Sequence, residues 1–181
     1  MPGPYRLLTA VAAALVLGGG VGALAPMLRD EHRDPVWVET QWPFANDPWG
    51  RGKAFVCRAG DCGAEIHVYV RPKLGACNCV TGIADDEDLD RMGDVALMGE
   101  ATPLGEGRAV SVGWMTGRAR AYAPSAATGG QVLSVAFNDR CDMIAATALL
   151  PRNAPARAER EVLALLNSAP VLDWAKRAIG I

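Results

Sequence analysis

Five cysteines offer most of the chemistry that this sequence can do. Four lie between residues 51 and 82 as two close pairs, and the fifth lies far along the chain. Thiols at such spacings can form disulfides, bind a soft metal or take part in redox exchange. The two pairs are Cys57 with Cys62 and Cys77 with Cys79, and the fifth cysteine is Cys141.

Disulfide formation is the first hypothesis, because the amino-terminal segment described below exports the cysteines to an oxidising compartment. Five cysteines allow at most two bridges and leave one thiol over. We predict a Cys57–Cys62 bridge across a hairpin, and Cys141 bonded to Cys77 or Cys79, of which we favour Cys79. Cys77 and Cys79 would share one face of a strand and stand too far apart to bridge each other.

A metal site is the alternative hypothesis for the same cysteines. Two close pairs joined by a hairpin resemble a zinc-ribbon layout, in which the thiolates of Cys57, Cys62, Cys77 and Cys79 would bind zinc tetrahedrally. The spacing differs from that of a usual zinc knuckle, and exported thiols tend to oxidise. Copper is a further alternative. Its soft ligands would be Cys77, Cys79, His67, Met92, Met98 and Met115. Redox exchange through the unpaired cysteine is not supported by any C-x-x-C motif.

Hydrolytic chemistry has little support, because only His32 and His67 could serve as an imidazole base. The first lies beside the apolar amino-terminal run, and the second lies on the polar side of a predicted strand. We therefore name no catalytic residue.

Charged residues form two further patterns. The acidic residues of 85–90 favour the first turn of a short helix, and their spacing does not fit a calcium-binding EF-hand. Arginines could form an anion-binding patch, although charged residues also protect exposed sheet edges. The arginines are Arg51, Arg58, Arg71, Arg118 and Arg120, and the last two would share a strand face.

The exported position of the cysteines is inferred from the amino terminus. Residues 7–28 carry no charged side chain, and a helix of that length can cross a hydrocarbon core of about 30 Å. Arg6 precedes the run and a cluster of mixed charge follows it. This arrangement favours an amino terminus on the inner, cytoplasmic side of the membrane. We expect residues 1–28 to be a single-pass inner-membrane anchor or, alternatively, a cleaved signal sequence. Either would place residues 29–181 in the periplasm.

The elements that position the cysteines follow from hydrophobic periodicity. We predict an α+β fold, with a transmembrane helix followed by one domain that has an antiparallel sheet and carboxyl-terminal helices. Residues 29–52 form a proline- and aromatic-rich membrane-proximal segment with a first strand at 36–40, and residues 53–181 form the periplasmic domain. Alternation predicts a hairpin of 53–57 with 62–71, which Pro72 ends.

The later elements are predicted in the same way. Strands are expected at 95–98, 109–115, 118–123, 131–137 and 141–150, with turns at Thr116-Gly117 and at 138–140. The period then changes to that of a helix at 156–166 and again at 171–179.

Several segments of the exported part also carry a resemblance to known sequences. The segments are WPFANDPWGRGKAF, CGAEIHVYVRPKLGACNC, VGWMTGRARAY, LSVAFNDRCDMIAATA and LLNSAPVLDWAKRAIGI. Together they resemble a family of uncharacterised, membrane-anchored bacterial envelope proteins, over most of residues 42–181. The order of elements is similar to the PsbP/Mog1-like α+β fold. The resemblance implies no activity, cofactor or catalytic residue.

These observations give a functional expectation. The net charge of −2 gives no general surface for nucleic acid. A membrane tether keeps a domain close to membrane complexes. We therefore expect a binding, assembly or accessory module without catalytic activity or cofactor, which acts on an envelope membrane-protein complex. The alternative is a zinc- or copper-binding protein that uses the cysteine pairs.

Overall fold

The computed structural model describes residues 35–125 and 130–181, which form an antiparallel sheet with helices on both faces. The strands are β1 Trp37–Thr40, β2 Lys53–Cys57, β3 Ile66–Lys73, β4 Ala101–Pro103, β5 Arg108–Val112, β6 Met115–Pro124, β7 Gln131–Asp139 and β8 Asp142–Leu150. The helices are α1 Ala59–Cys62, α2 Asp86–Met92, α3 Pro155–Leu166 and α4 Ala169–Ile179, with a 3-10 helix at Val95–Met98. The predicted α+β fold, antiparallel sheet and carboxyl-terminal helices are confirmed.

The strand order is β1-β2-β3-β8-β7-β6-β4, and β5 also pairs with β6. The last strand in sequence therefore lies between β3 and β7. Within the two described ranges, no helix combines the length and the apolarity that a membrane span needs. The predicted anchor at residues 1–28 and His32 lie outside those ranges.

One face of the sheet carries the main core. Inward side chains of β3, β7 and β8, such as Val68, Val135 and Ala146, pack with Val162 of α3 and Val171 of α4. Both helices have the apolar stripe that the sequence predicts for them. On the opposite face, a smaller apolar cluster surrounds Leu89, and the sheet there also carries the buried polar residues Arg71, Lys73, Ser134 and Thr147.

The predicted hairpin of β2 and β3 differs in two details. Its connection contains the one-turn helix α1, which ends at Gly63 in the left-handed region with φ 75°. Pro72 lies inside β3 instead of ending it. Because β2 begins at Lys53, opposite Val70, Pro72 has a strand neighbour only in β8, the position in which a sheet tolerates a residue without an N–H.

The predicted turn at Thr116-Gly117 is wrong, because both residues lie in β6. The chain reverses instead at Gly113, whose φ is 57°. Gly117 is needed for another reason: a Cβ there would lie 1.9 Å from the carbonyl oxygen of Ala136 on β7. This glycine therefore allows close approach of two strands, and the sequence alone does not distinguish that role from a turn.

Two other predicted elements differ from the structure. Residues 95–98 form a 3-10 helix and not a strand. The last hairpin turns at Arg140, with φ 54°, because β7 extends to Asp139 and pairs with Asp142. The predicted first strand, by contrast, is confirmed at Trp37–Thr40 and pairs with β2.

Candidate functional site

Four basic side chains lie on the sheet face opposite α3 and α4, which is called the charged face below. Strand register places these residues in one row or in neighbouring rows, since Arg71 pairs with Ala145, Ala145 with Ala136, and Ala136 with Arg118. Side chains of residues directly opposite each other share a face of a sheet. The four are Arg71 and Lys73 of β3 and Arg118 and Arg120 of β6.

Arg71 is the centre of a buried ion network. Its Nε and Nη2 each donate to an oxygen of Asp94 at 2.6 Å, and its Nη1 donates to Asp47 at 2.6 Å. Lys73 Nζ lies 2.8 Å from the same Asp94 carboxylate and donates to the Met92 carbonyl at 2.7 Å. The side chains of Arg71 and Asp94 are 4% and 6% exposed. The network ties the loop around Asp47 and the end of α2 to β3.

Helix α2 binds the other end of the charged face through its acidic side. Asp86 forms an ion pair with Arg118, and Arg120 Nη1 donates to Asp90 at 2.9 Å. The Tyr122 hydroxyl also donates to Asp90. The acidic helix and the arginine strand, two separate patterns in the sequence, are therefore partners of each other.

Two of these aspartates have shifted pKa values. The hydrogen bond from the Arg71 guanidinium holds the pKa of Asp47 below its usual value. The backbone N–H of Gly107 and the Arg118 guanidinium do the same for Asp86. Both carboxylates are thus stabilised in their charged form, as partners of the basic side chains.

The predicted anion-binding patch does not form as a free cationic surface. Arg71, Arg118 and Arg120 already bind aspartates, and Arg51 Nε donates to the side chain of Asn46 at 2.9 Å. Arg58 lies at the start of α1 on a different connection. The ion pairs of the charged face therefore hold the segment around Asp47 and helix α2 against the sheet.

Aromatic rings also pack the segment before β2 against β3. Trp42 and Phe44 pack edge-on against Tyr69, with ring centroids 6.1 and 4.8 Å away. His67 stacks on the same ring and its Nε2 lies 2.7 Å from a Glu65 carboxylate oxygen. His67 is partly exposed on the edge of this cluster, which is the setting of a surface histidine and not of a catalytic base held against a nucleophile.

Two buried hydroxyls on the charged face have no hydrogen-bond partner among the described residues. Ser134 and Thr147 are directly paired across β7 and β8, and both residues are fully buried. Neither side-chain oxygen makes a hydrogen bond within the described residues. Gly93 lies over Ser134 so closely that a Cβ there would be 2.7 Å from its Oγ. A hydroxyl that is buried without a hydrogen bond loses its bonds to water and gains none in return.

The cysteines form two disulfides in the structure, Cys57–Cys62 and Cys79–Cys141, and Cys77 is free and buried. Cys57 and Cys62 belong to the main core, whereas Cys77 belongs to the smaller cluster on the charged face. The described residues contain no group of three or more histidine, cysteine or acidic side chains placed to bind a metal. The zinc hypothesis requires both disulfides to be reduced first, and the copper hypothesis requires reduction of Cys79–Cys141.

Strand β1 forms one end of the sheet and pairs, within the described ranges, with β2 alone. Val36 and Val38 are 55% and 44% exposed at this edge. A groove of 290 Å³ lies beside the strand, between β2 and α4. Its lining includes Glu39, Lys53, Phe55, Trp174 and Arg177. An edge strand with a groove beside it can accept an extended peptide as an additional strand.

The sequence does not single out Asp94 or β1 as parts of a site. Asp94 is a lone aspartate after Gly93, separated from Arg71 by 23 positions in the sequence that include helix α2, so its role follows only from tertiary packing. For Arg71 and Lys73 the sequence does give an indication: two basic residues follow each other on one face at the end of a strand whose other face is apolar, and where such residues are buried they need a partner.

No protein-family model matches the chain, and no curated protein or solved structure matches it either.

Proposed function

We propose that this chain is a membrane-tethered, periplasmic accessory module that binds an envelope membrane protein by strand addition at β1. The module has no catalytic role, and its charged face serves to fix the domain. The observation that carries the proposal is the edge of β1, which is unpaired within the described residues and follows closely after the apolar run of residues 7–28.

The chemistry of β1 suits an extended partner. A strand at a sheet edge presents backbone N–H and C=O groups that another chain can pair with. A strand added to β1 would direct alternate side chains toward the groove, where Trp174 offers apolar surface and Arg177 offers charge. Lys53 is already paired there with Glu39 of β1 at 2.6 Å. Backbone pairing would supply affinity and the groove would supply sequence preference.

The opposite end of the sheet is formed by β4 and β5. The three-residue β4 is less suited to strand addition, because it ends in Pro103, which has no N–H to donate. Strand β5 has no proline, but it lies far along the chain from the apolar run of residues 7–28. Strand β1 contains no proline, and its neighbour Val36 is exposed. We therefore assign docking to β1.

The partner class follows from the distance to the apolar run. That run ends at residue 28 and β1 begins at Trp37, so an extended connection of about 3.4 Å per residue keeps β1 within about 30 Å of it. If the run spans the inner membrane, β1 lies within reach of the periplasmic loops of membrane proteins. Tethering also raises the effective concentration of such a partner.

Photo-cross-linking in intact membranes tests this proposal. A photoreactive residue replaces Val38 in the full-length chain, and in a control chain it replaces Leu104, which is 50% exposed near the other end of the sheet. The expected result is one membrane-protein adduct from position 38 and none from position 104. The adduct should disappear when Val36→Glu places a charge at the edge.

Two results would overturn the proposal. Adducts of equal yield from both positions would show nonspecific contact with neighbouring proteins. Absence of an adduct from position 38, in a chain that is folded and inserted, would exclude β1 as the docking edge.

A further inference from the structure

Three of the five cysteines meet at one turn of the charged face. Cys79 bonds to Cys141, which lies at the β7–β8 turn. Cys77, two residues before Cys79, also contacts that turn: its backbone N–H donates to the Cys141 carbonyl at 3.3 Å, and its thiol donates to the Arg140 carbonyl at 3.3 Å. Cys141 therefore has two cysteine neighbours from the same loop.

The two loop cysteines differ in exposure. Cys77 is 9% exposed, whereas Cys79 is an exposed residue next to Val80, which is 92% exposed. The sulfur that lacks a disulfide partner is thus the inner one. Exchanging the roles of Cys77 and Cys79 would move the free thiol to the surface.

The loop has features that allow such an exchange without unfolding the sheet. Gly75 and Gly82 delimit it, both in the left-handed region with φ 64° and 63°. The N–H of Gly75 donates to Asp142 at 2.7 Å, which fixes the start of the loop to β8. A shift that brings Cys77 onto Cys141 therefore involves the few residues between the two glycines.

We infer that Cys77, Cys79 and Cys141 form an intramolecular thiol–disulfide exchange site. The Cys77 thiolate attacks Sγ of Cys141, and a Cys77–Cys141 bond forms as the Cys79–Cys141 bond breaks. The electron pair leaves on Cys79 Sγ, which takes up a proton from water, while the Cys77 proton is lost to water. One disulfide and one thiol remain, so the step needs no external oxidant or reductant.

The result of the exchange is a modification site at Cys79. An exposed thiol beside the loop tip can be alkylated or can attack the disulfide of another molecule, whereas a buried Cys77 cannot. Burial raises the pKa of the Cys77 thiol, and the nearby carboxylates of Asp142 and Asp88 raise it further. Exchange from the Cys79–Cys141 form should therefore become faster as the pH increases.

Disulfide mapping of the full-length chain and its Cys79→Ser and Cys77→Ser variants tests the inference. Samples are held at pH 8.5, acid-quenched, unfolded and alkylated, and the peptides are then identified without reduction. We expect the Cys79→Ser variant to contain a Cys77–Cys141 bridge. We expect the unsubstituted chain to be alkylated in part at Cys79, and the Cys77→Ser variant to show no alkylation there.

The Cys57–Cys62 bridge serves as the internal control for folding, and only samples in which it is intact are compared. Free Cys77 and free Cys141 together in the Cys79→Ser variant would overturn the inference. So would alkylation of the unsubstituted chain at Cys77 alone. Neither result depends on a binding partner. The exchange site can therefore be disproved without affecting the proposed docking at β1, and docking at β1 can be disproved without affecting the exchange site.

Discussion

Arg71 and Asp94 form a bidentate ion pair in the interior of the domain, with two N–O distances of 2.6 Å. They come from β3 and from the connection after α2. Asp94 also neutralises Lys73 at 2.8 Å. Because one carboxylate serves two nearly buried cations, it is the single group on which the charged face depends most.

Replacing Asp94 by Asn should be strongly destabilising. The substitution leaves Lys73 without a carboxylate and Arg71 with Asp47 alone, and removal of one partner from a buried pair costs about 3–5 kcal/mol. The free energy of unfolding in urea measures the loss. Asp173→Asn is the control, because Asp173 is 60% exposed and lies 3.7 Å from Lys176; it should change stability by less than about 0.5 kcal/mol. Equal effects of the two substitutions would contradict the assignment.

Replacing Thr147 by Val should be neutral or stabilising. The hydroxyl of Thr147 is buried and makes no hydrogen bond within the described residues, so its removal should recover up to about 1 kcal/mol of desolvation cost. Thermal unfolding of the variant gives the change. A loss of more than about 1 kcal/mol would mean that the hydroxyl is satisfied, for example by a buried water.

The two disulfides should differ in their contributions to the free energy of unfolding. Cys79 and Cys141 are 62 residues apart and Cys57 and Cys62 are 5 apart. Loop-closure entropy therefore predicts about 4 kcal/mol for the first bridge and about 2 kcal/mol for the second. Paired Cys→Ser variants compared by urea unfolding measure both values. A larger contribution from Cys57–Cys62 than from Cys79–Cys141 would show that effects in the native state outweigh the loop-closure entropy.

Stability should fall in acid, partly through Asp86. Its folded-state pKa is lowered by the Gly107 N–H and by Arg118, so its contribution is fully present above the unfolded-state value of about 3.9. The contribution is lost as the pH falls below that value and through the folded-state pKa. Unfolding free energies between pH 6 and pH 2.5 should show a shallower decline for Asp86→Asn than for the unsubstituted chain. Parallel curves would contradict the role of Asp86.

The sequence predicts those features that depend on nearby residues. The α+β class, the antiparallel hairpins and the amphipathic carboxyl-terminal helices follow from periodicity, which is a local property. A pairing of Cys57 with Cys62 is likewise local, since both flank one short connection. The choice between Cys77 and Cys79 is not local, because it depends on how the loop meets the β7–β8 turn.

The features that the sequence does not predict depend on long-range packing. Strand alternation predicts that Arg118 and Arg120 share one face, and they do, but their partners Asp86 and Asp90 come from a helix distant in sequence. In the sequence Gly117 indicates a turn, whereas in the structure it is needed because β7 packs directly against it. Acidic and basic residues that form separate patterns in the sequence thus neutralise each other in the structure. The arginines are therefore no longer candidates for anion binding.

Hydrogen exchange at β1 tests the central claim most directly. The unsubstituted chain is compared alone in detergent and in its non-covalent complex with the partner that the position-38 cross-link identifies, with mass spectrometry of peptides covering residues 36–40 and 108–112. The account predicts that backbone exchange at 36–40 slows by about tenfold or more in the complex, because the edge groups become hydrogen-bonded, while exchange at 108–112 is unchanged. Unchanged exchange at 36–40, with new protection elsewhere in the domain, would contradict docking by strand addition at β1.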